Sequence, residues 1–182
     1  MKRILFFIFV FFFFESFAFS LSFSGALKKS SYNLCFTPGA KCEAMIVKGI
    51  QNAKESIYVQ AYSFTSKPIA EALVRASKKK LDVKVILDKS QFHKKSYSAS
   101  RFFINQKISL WKDAKVAIAH NKVMIIDKKT IITGSYNFTR SAEHRNAENV
   151  LMIRNSKLAR EYFQNWQKRL KASEVVLENP IY

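Results

Sequence analysis

This chain is poor in acid, in cysteine and in histidine, and each shortage narrows what it can be. Its 182 residues hold 13 aspartates and glutamates against 31 lysines and arginines, a formal net charge of +18. A surplus of that size points to polyanionic partners, nucleic acid or an anionic membrane surface, with a merely solvated basic surface as the bland alternative. Two cysteines with no further ligands beside them do not make a zinc site. Three histidines, His93, His120 and His144, leave few groups able to move protons near neutral pH. There are no internal repeats, which argues against a repeat architecture. No motif that reads base edges is present, so little sequence specificity is expected toward a nucleic acid. What remains is a length that suits one domain with a real core.

Residues 1–23 read as a targeting segment outside the fold. Lys2-Arg3 is followed by Ile4 to Phe14, an unbroken apolar run of 11 residues, seven of them phenylalanine. That run is too short to span a bilayer, which needs roughly 20 residues. Extending it to Phe23 would put Glu15 near the centre, at a cost. Ser16-Phe17-Ala18 and Ser24-Gly25-Ala26 both offer small-residue cleavage sites, so the segment is either a cleaved signal or a retained N-terminal anchor. Both readings place the protein outside the cytoplasm, periplasmic or membrane-associated through residues 4–23. Its three charges sum to +1, so the mature part keeps +17. Export also bears on Cys35 and Cys42, which flank a Pro-Gly turn: a disulfide is expected, with two buried thiols as the alternative. A loop this short should contribute less than the ~3 kcal/mol of a 15-residue loop.

Residues 33–172 then read as one domain and 173–182 as a C-terminal tail. Asn33 to Phe36 suits a short strand, and Cys42 to Lys54 a helix with Ile46, Ile50 and Ala53 on one face. Ser56 to Ser63 reads as a strand, and Pro68 can open a helix lined by Ile69, Leu73 and Ala76. Lys78-Lys79-Lys80 falls at the negative end of that helix. Asp82 to Leu87 alternates as a strand. Gln91 to Gln106 is expected to be a loop leading into a helix, and Val150 to Ile153 another strand. Ser156 is expected to cap a last helix whose stripe of Leu158, Tyr162, Trp166 and Leu170 belongs to a core rather than a binding surface. The recurrence of strand, helix and strand predicts an α/β fold with a mixed, partly parallel central sheet and helices on both faces.

The most informative stretch runs from His120 to Asn137. Val123 to Ile126 is apolar and β-branched, hence a strand, and side chains two apart on it share a face. His120 and Lys122 then project together, while Asp127 has the opposite parity. Thr130 to Thr133 forms a second strand, and Asp127 to Thr130 is short enough to turn a hairpin. Gly134-Ser135-x-Asn137 follows at its end. An imidazole, an ammonium, a hydroxyl and an amide brought together suit a phosphate. Breaking a phosphodiester needs a nucleophile and a proton for the leaving alkoxide, and an imidazole can serve for either.

The pattern H-x-K-x4-D-x6-G-S-x-N, with Asn137-Phe138-Thr139 and Ala147-Glu148-Asn149 after it and Gln60-Ala61-Tyr62-Ser63-Phe64-Thr65 before it, resembles the phospholipase D superfamily. It is most similar to the small endonucleases of that superfamily that carry one motif per chain, over residues 33 to 170. The resemblance implies a phospholipase D-like sandwich and a homodimer in which two motifs meet at one active site. One His120 would attack phosphorus to form a phosphohistidine, and the other would protonate the leaving oxygen. Lys122 would hold the non-bridging oxygens. Ser135 and Asn137 would add hydrogen bonds or order the site, with a plain turn role as the alternative for Ser135. Glu148 would accept the proton on the far ring nitrogen of His120. Asp127 stands in the family signature, yet by strand parity it should support the hairpin. His120, Asp127, His144 and Glu148 are all metal-ligand types, but an ammonium beside His120 repels a cation, so no metal and no cofactor are expected.

These readings predict an exported, metal-independent phosphodiesterase acting on nucleic acid, DNA foremost with RNA as the alternative partner. A phospholipid-hydrolysing enzyme and a non-catalytic nucleic-acid-binding protein are the competing classes. His144 pairing with His120 inside one chain competes with the dimer, although its polar neighbours suit a solvated turn. His93 is expected to be a solvated loop residue.

Overall fold

Strands that bury both faces need cover on both sides, and the chain supplies it with helices that are apolar along one stripe. In the computed structural model, which describes residues 29–92 and 98–176, eight strands form one sheet. They are β1 (Ser31–Thr37), β2 (Ser56–Ala61), β3 (Asp82–Asp88), β4 (Ser109–Asp113), β5 (Lys122–Ile126), β6 (Thr130–Gly134), β7 (Glu148–Arg154) and β8 (Glu174–Val175). Their order is β1-β7-β6-β5-β2-β3-β4-β8. β2, β3 and β4 run parallel, and every other pairing is antiparallel. The mixed sheet follows from the connections: helical crossovers join the parallel strands, and a tight hairpin joins β5 to β6.

The helices α1 (Cys42–Gln51), α2 (Lys67–Lys78) and α3 (Ala99–Asn105) cover one face. Ile46, Ile50, Ile69 and Leu73 pack there against Val59, Val85, Met124 and Ile132. A short helix, α4 (Arg140–His144), follows β6. The helix α5 (Ser156–Ala172) covers the other face, with Leu158, Tyr162, Trp166 and Leu170 against Tyr58, Ile86, Val123 and Ile125. Trp166 is buried and its Nε1 donates to the Val59 carbonyl at 3.0 Å. Cys35 and Cys42 form a disulfide that ties β1 to the start of α1.

Several local expectations shift. Asn155, not Ser156, caps α5, because its side chain accepts from the Leu158 amide at 2.9 Å. Helix α1 ends at Gln51, with Ala53 buried just beyond it. Strand β2 stops at Ala61, where the chain turns to meet Asn121. β4 has no strand pattern of its own. Its polar Ser-Leu-Trp-Lys-Asp is held by pairing with β3 and by the fully buried Asp113, which accepts from Arg169 Nε at 2.9 Å. The expected C-terminal tail contributes β8, which pairs with β4. His144 ends α4, exposed, rather than lying in a simple turn. The targeting segment 1–23, His93 and residues 177–182 lie outside the described residues. Among the described residues, no helix is long and apolar enough to cross a membrane.

The topology gathers one set of strand ends. Strands β1, β2, β3 and β6 finish, and β5 and β7 begin, at the same end of the sheet. There Ala61 lies opposite Lys122, Ala61 opposite Leu87, Gly134 opposite Val150 and Thr37 opposite Glu148.

Candidate active site

Lys122 opens β5 and is 7% exposed. Its Nζ lies 3.0 Å from each ring nitrogen of His120 and donates to the His120 carbonyl oxygen at 3.0 Å. Imidazole and ammonium thus occupy one spot, as the two-residue spacing requires. Burial pulls the pKa of Lys122 below its ordinary value, and the Glu148 carboxylate partly opposes that pull.

Tyr62 floors this pair. Its ring sits 4.7 Å from the His120 ring, and Lys122 Nζ lies 5.2 Å from its centroid, within cation–π range. Asp88 fixes the approach to His120 from the other side. Its buried carboxylate accepts from the Ala119 amide at 2.7 Å and from the Ser90 amide at 2.9 Å. Burial alone would raise its pKa, but the Ser90 hydroxyl, these two amides and the nearby Lys89 outweigh burial and hold it below the usual carboxylate value. Neither residue stands out in the sequence. Tyr62 sits inside a family-like segment without a role of its own, and Asp88 is simply a strand's last residue.

Gly134 and the three residues after it bring the hydroxyl and the amide. Gly134 has φ +145°, a backbone state that L side chains rarely adopt, and a Cβ there would collide with the Asn149 carbonyl oxygen. That close approach lets Ser135 meet Asn149: Ser135 Oγ accepts from the Asn149 amide at 3.1 Å and from Asn149 Nδ2 at 3.2 Å, and donates to Glu148. Asn137 is half-buried, and its Oδ1 is a buried atom with no partner in the protein. As an acceptor it can take a hydrogen bond from a water or a leaving hydroxyl, whereas a phosphate oxygen can be met only by the amide nitrogen. The surrounding loop is laced down, since the Phe138 carbonyl accepts from Thr65 and Ser66 at 2.9 Å each. Tyr136 adds a brace from below, donating to Glu143 at 3.0 Å; burial first, and Glu143 second, push its hydroxyl far above the ordinary tyrosine range, so it stays a donor.

Glu148 and Asp127 have partners other than His120. Glu148 does not bond His120 within the chain. It accepts from Ser135 and from Asn146 Nδ2, the latter at 3.0 Å, and Asn146 is itself held through its carbonyl by Thr37 Oγ1 at 3.1 Å. The reason is register: β7 is separated from β5 by β6, so Glu148 reaches the serine at the end of β6 first. Asp127 lies at the far end of β5, five residues from Lys122 or about 17 Å at the usual strand rise. There it and Lys128 adopt φ +53° and +50° in the β5–β6 turn. Its carboxylate accepts from the amides of Lys54, Glu55 and Ser56. So His120, Lys122, Ser135, Asn137 and Glu148 share one end of the sheet, and Asp127 organises the other. Among the described residues, no group of three or more His, Cys, Asp or Glu side chains is placed to hold a metal ion.

This arrangement can present a nucleophilic imidazole, a fixed cation and neutral hydrogen-bonding groups to one phosphate. Known proteins share the fold and much of the sequence. Residues 46–170 match the family described as cardiolipin synthase, PLD-like domain. The chain is 46% identical over 150 residues to a phospholipase D of Rickettsia prowazekii, covering 82% of this chain and 73% of that protein. Among solved structures it superposes on the phospholipase D family member Nuc from Salmonella typhimurium with a TM-score of 0.77 and 36% identity, covering 81% of this chain and 99% of that one. NucT from Helicobacter pylori follows with a TM-score of 0.72 and 25% identity, covering 81% of this chain and all of the other, 100%. A family match over residues 46–170, together with 46% identity to a relative covered to 73% of its length, means that this chain belongs to the phospholipase D superfamily, as a hydrolase of phosphodiester bonds.

Proposed function

We propose that the chain is an exported nuclease that cleaves nucleic acid without a metal, through a phosphohistidine on His120, at a site shared by two copies. The observation that carries this reading is the pairing of His120 with Lys122 at one end of the sheet of a chain with net charge +18. The likeness to Nuc and NucT, each covered almost end to end, fits the small single-motif branch that the sequence resembles. In the first step a ring nitrogen of one His120 attacks phosphorus, and the P–O bond to the leaving alkoxide breaks. The second copy's imidazolium gives that alkoxide its proton. Water then attacks the phosphohistidine, loses its proton to the second imidazole, and the P–N bond breaks. Lys122 and Asn137 hold the non-bridging oxygens through both steps, and Ser135 is held by Glu148 and Asn149 beside them.

Each chain supplies one such set, so the site needs a second copy. A surface is available for it. Tyr32, Leu34 and Phe36 alternate along the edge strand β1 and are 70%, 50% and 58% exposed. They lie on the face that α5 covers, at the sheet edge away from its main contacts with β2, β4, β5 and β6, and Phe36 is opposite Asn149 beside the site. Mixing wild type with a large excess of His120→Ala protein, with subunit exchange, tests the shared site. Activity should fall as the square of the wild-type fraction. A linear fall, or a fully active monomer by light scattering, would sink it.

Excess EDTA should leave turnover unchanged, because the ammonium and the imidazoles supply the charge and the protons. Loss of activity restored by one divalent cation would overturn the metal-free route. The pH profile offers another check. Lys122 grips phosphate only while charged, so activity should fall with rising pH below the ordinary lysine value of 10.5. Glu148→Gln removes the carboxylate that opposes this shift, and the alkaline limb should move to still lower pH. A limb unchanged in that variant would remove Lys122 as its source.

The relatives named phospholipase D favour a second reading, hydrolysis of phospholipids. Plasmid, single-stranded DNA, RNA and labelled phospholipid, each incubated with chelator present, separate the two. Nucleic-acid binding should also weaken steeply with salt, with a log–log slope near −0.9 per phosphate contacted on a duplex.

A further inference from the structure

The end of the sheet away from His120 carries a feature the chemistry does not use. There β1 begins, β7 finishes and the β5–β6 hairpin turns, with Arg154 opposite both Ser31 and Thr130. A cavity of about 440 Å³ opens between them. Gly49, Ile126 and Met152 line it together with Lys54, Lys129 and Arg154. The acids nearby are engaged. Asp127 accepts three backbone amides, and Glu55 pairs with Lys129 at 3.1 Å. Lys54, Lys128 and Arg154 are exposed and form no salt bridge among the described residues, although Lys128 lies close enough to Asp82 to help lower its pKa. Lys128 Nζ lies 4.6 Å from the Phe163 ring centroid.

The chain also enters the domain here. Asn155 Nδ2 donates to Ser30 Oγ at 2.7 Å. Only six residues separate the apolar segment 4–23 from Ser30, a reach of about 20 Å when fully extended. From this entry point β1 runs to Thr37, beside Glu148, about 20 Å away along the strand.

We infer that residues 4–23 are retained as an anchor, the second of the two fates open to them, and that this basic end of the domain docks on the anionic headgroups of the bilayer that holds them, so that the His120 end faces away from that membrane. Clustered lysine and arginine next to a membrane-attached segment are drawn to anionic lipid within a Debye length of the surface. The inference deepens the proposed function and rests on it for the place of the active site. An active site turned outward meets a soluble polymer, not the headgroups beside its own anchor.

The full chain carrying His120→Ala, which prevents lipid turnover, is placed in vesicles of phosphatidylcholine with or without one-third phosphatidylglycerol. A fluorophore is attached without reductant at Lys128→Cys or at Arg145→Cys, and quenching by a headgroup nitroxide is read. The probe at position 128 should be quenched several-fold more than the probe at 145, and only with phosphatidylglycerol present. High salt, or Lys54→Glu, Lys129→Glu and Arg154→Glu together, should abolish the difference. Equal or stronger quenching at 145, no effect of the reversals, or no attachment to vesicles would overturn the inference. So would reversals that weaken DNA binding while leaving quenching intact, since they would assign this end to nucleic acid. The readout needs no turnover. A chain that docks this way yet cleaves no nucleic acid would count against the proposed function alone.

Discussion

His120→Asn should lower turnover at least about a thousandfold while the fold stays in place, because it removes the group proposed to attack phosphorus and the group proposed to protonate the leaving oxygen at once. The structural cost should be small. The His120 side chain is exposed, and its contacts are the Tyr62 ring and the Lys122 ammonium. Lys122 is fixed independently by its place in β5 and by its bond to the backbone carbonyl of residue 120, which the variant keeps. Thermal unfolding should therefore match wild type within a few degrees, while rates on plasmid and on a small aryl phosphodiester fall together. Turnover within tenfold of wild type would take the nucleophile away from His120. Acid quenching of the wild-type reaction, followed by mass spectrometry, should find phosphate on the peptide that carries His120.

Gly134→Ala should be the most damaging conservative change in the chain, losing stability and activity together. The new Cβ meets the Asn149 backbone oxygen, which belongs to the neighbouring strand and cannot swing aside like a side-chain tip. The φ of +145° adds strain of order 1–3 kcal/mol, and the forced backbone shift about 1–3 kcal/mol more. The chain can yield only by parting β6 from β7, and that breaks the contacts of Ser135 with Asn149 and Glu148. The denaturation midpoint should drop sharply, and the protein that remains folded should still turn over poorly. Ala at Gly39 offers the control: its φ is +109°, but nothing lies within 4 Å of the added Cβ. Equal stability losses at the two positions would mean that backbone strain alone, and not the collision with Asn149, sets the cost at Gly134.

Much of the site is legible in the amino-acid sequence, for a local reason. A strand repeats every two residues, so the side-by-side placement of His120 and Lys122 is written into a few consecutive positions. The same holds for the hairpin, whose turn residues Asp127 and Lys128 lie between two β-branched runs and so stand a strand's length from His120 and Lys122. The α5 stripe of Leu158, Tyr162, Trp166 and Leu170 is likewise a property of one segment with a helical period.

Where sequence and structure part, the deciding contact joins residues distant in the chain. Glu148 and His120 are 28 residues apart, and which side chain Glu148 meets depends on β6 lying between β7 and β5, an ordering no local pattern encodes. Asp88 and Ala119 come together only because β3 ends where the approach to β5 passes. Strand β4 has too few apolar residues to announce itself and exists because β3 and β8 supply its hydrogen bonds and Arg169 neutralises Asp113. By itself, then, the sequence determined the chemical groups, their local faces and the family, because these depend on composition and period. Only the tertiary structure decided which groups converge, which carboxylate serves which hydroxyl, and that the His120 group and the basic cluster lie at opposite ends of one sheet. Those outcomes follow from strand order and register, which the packing of the whole chain sets.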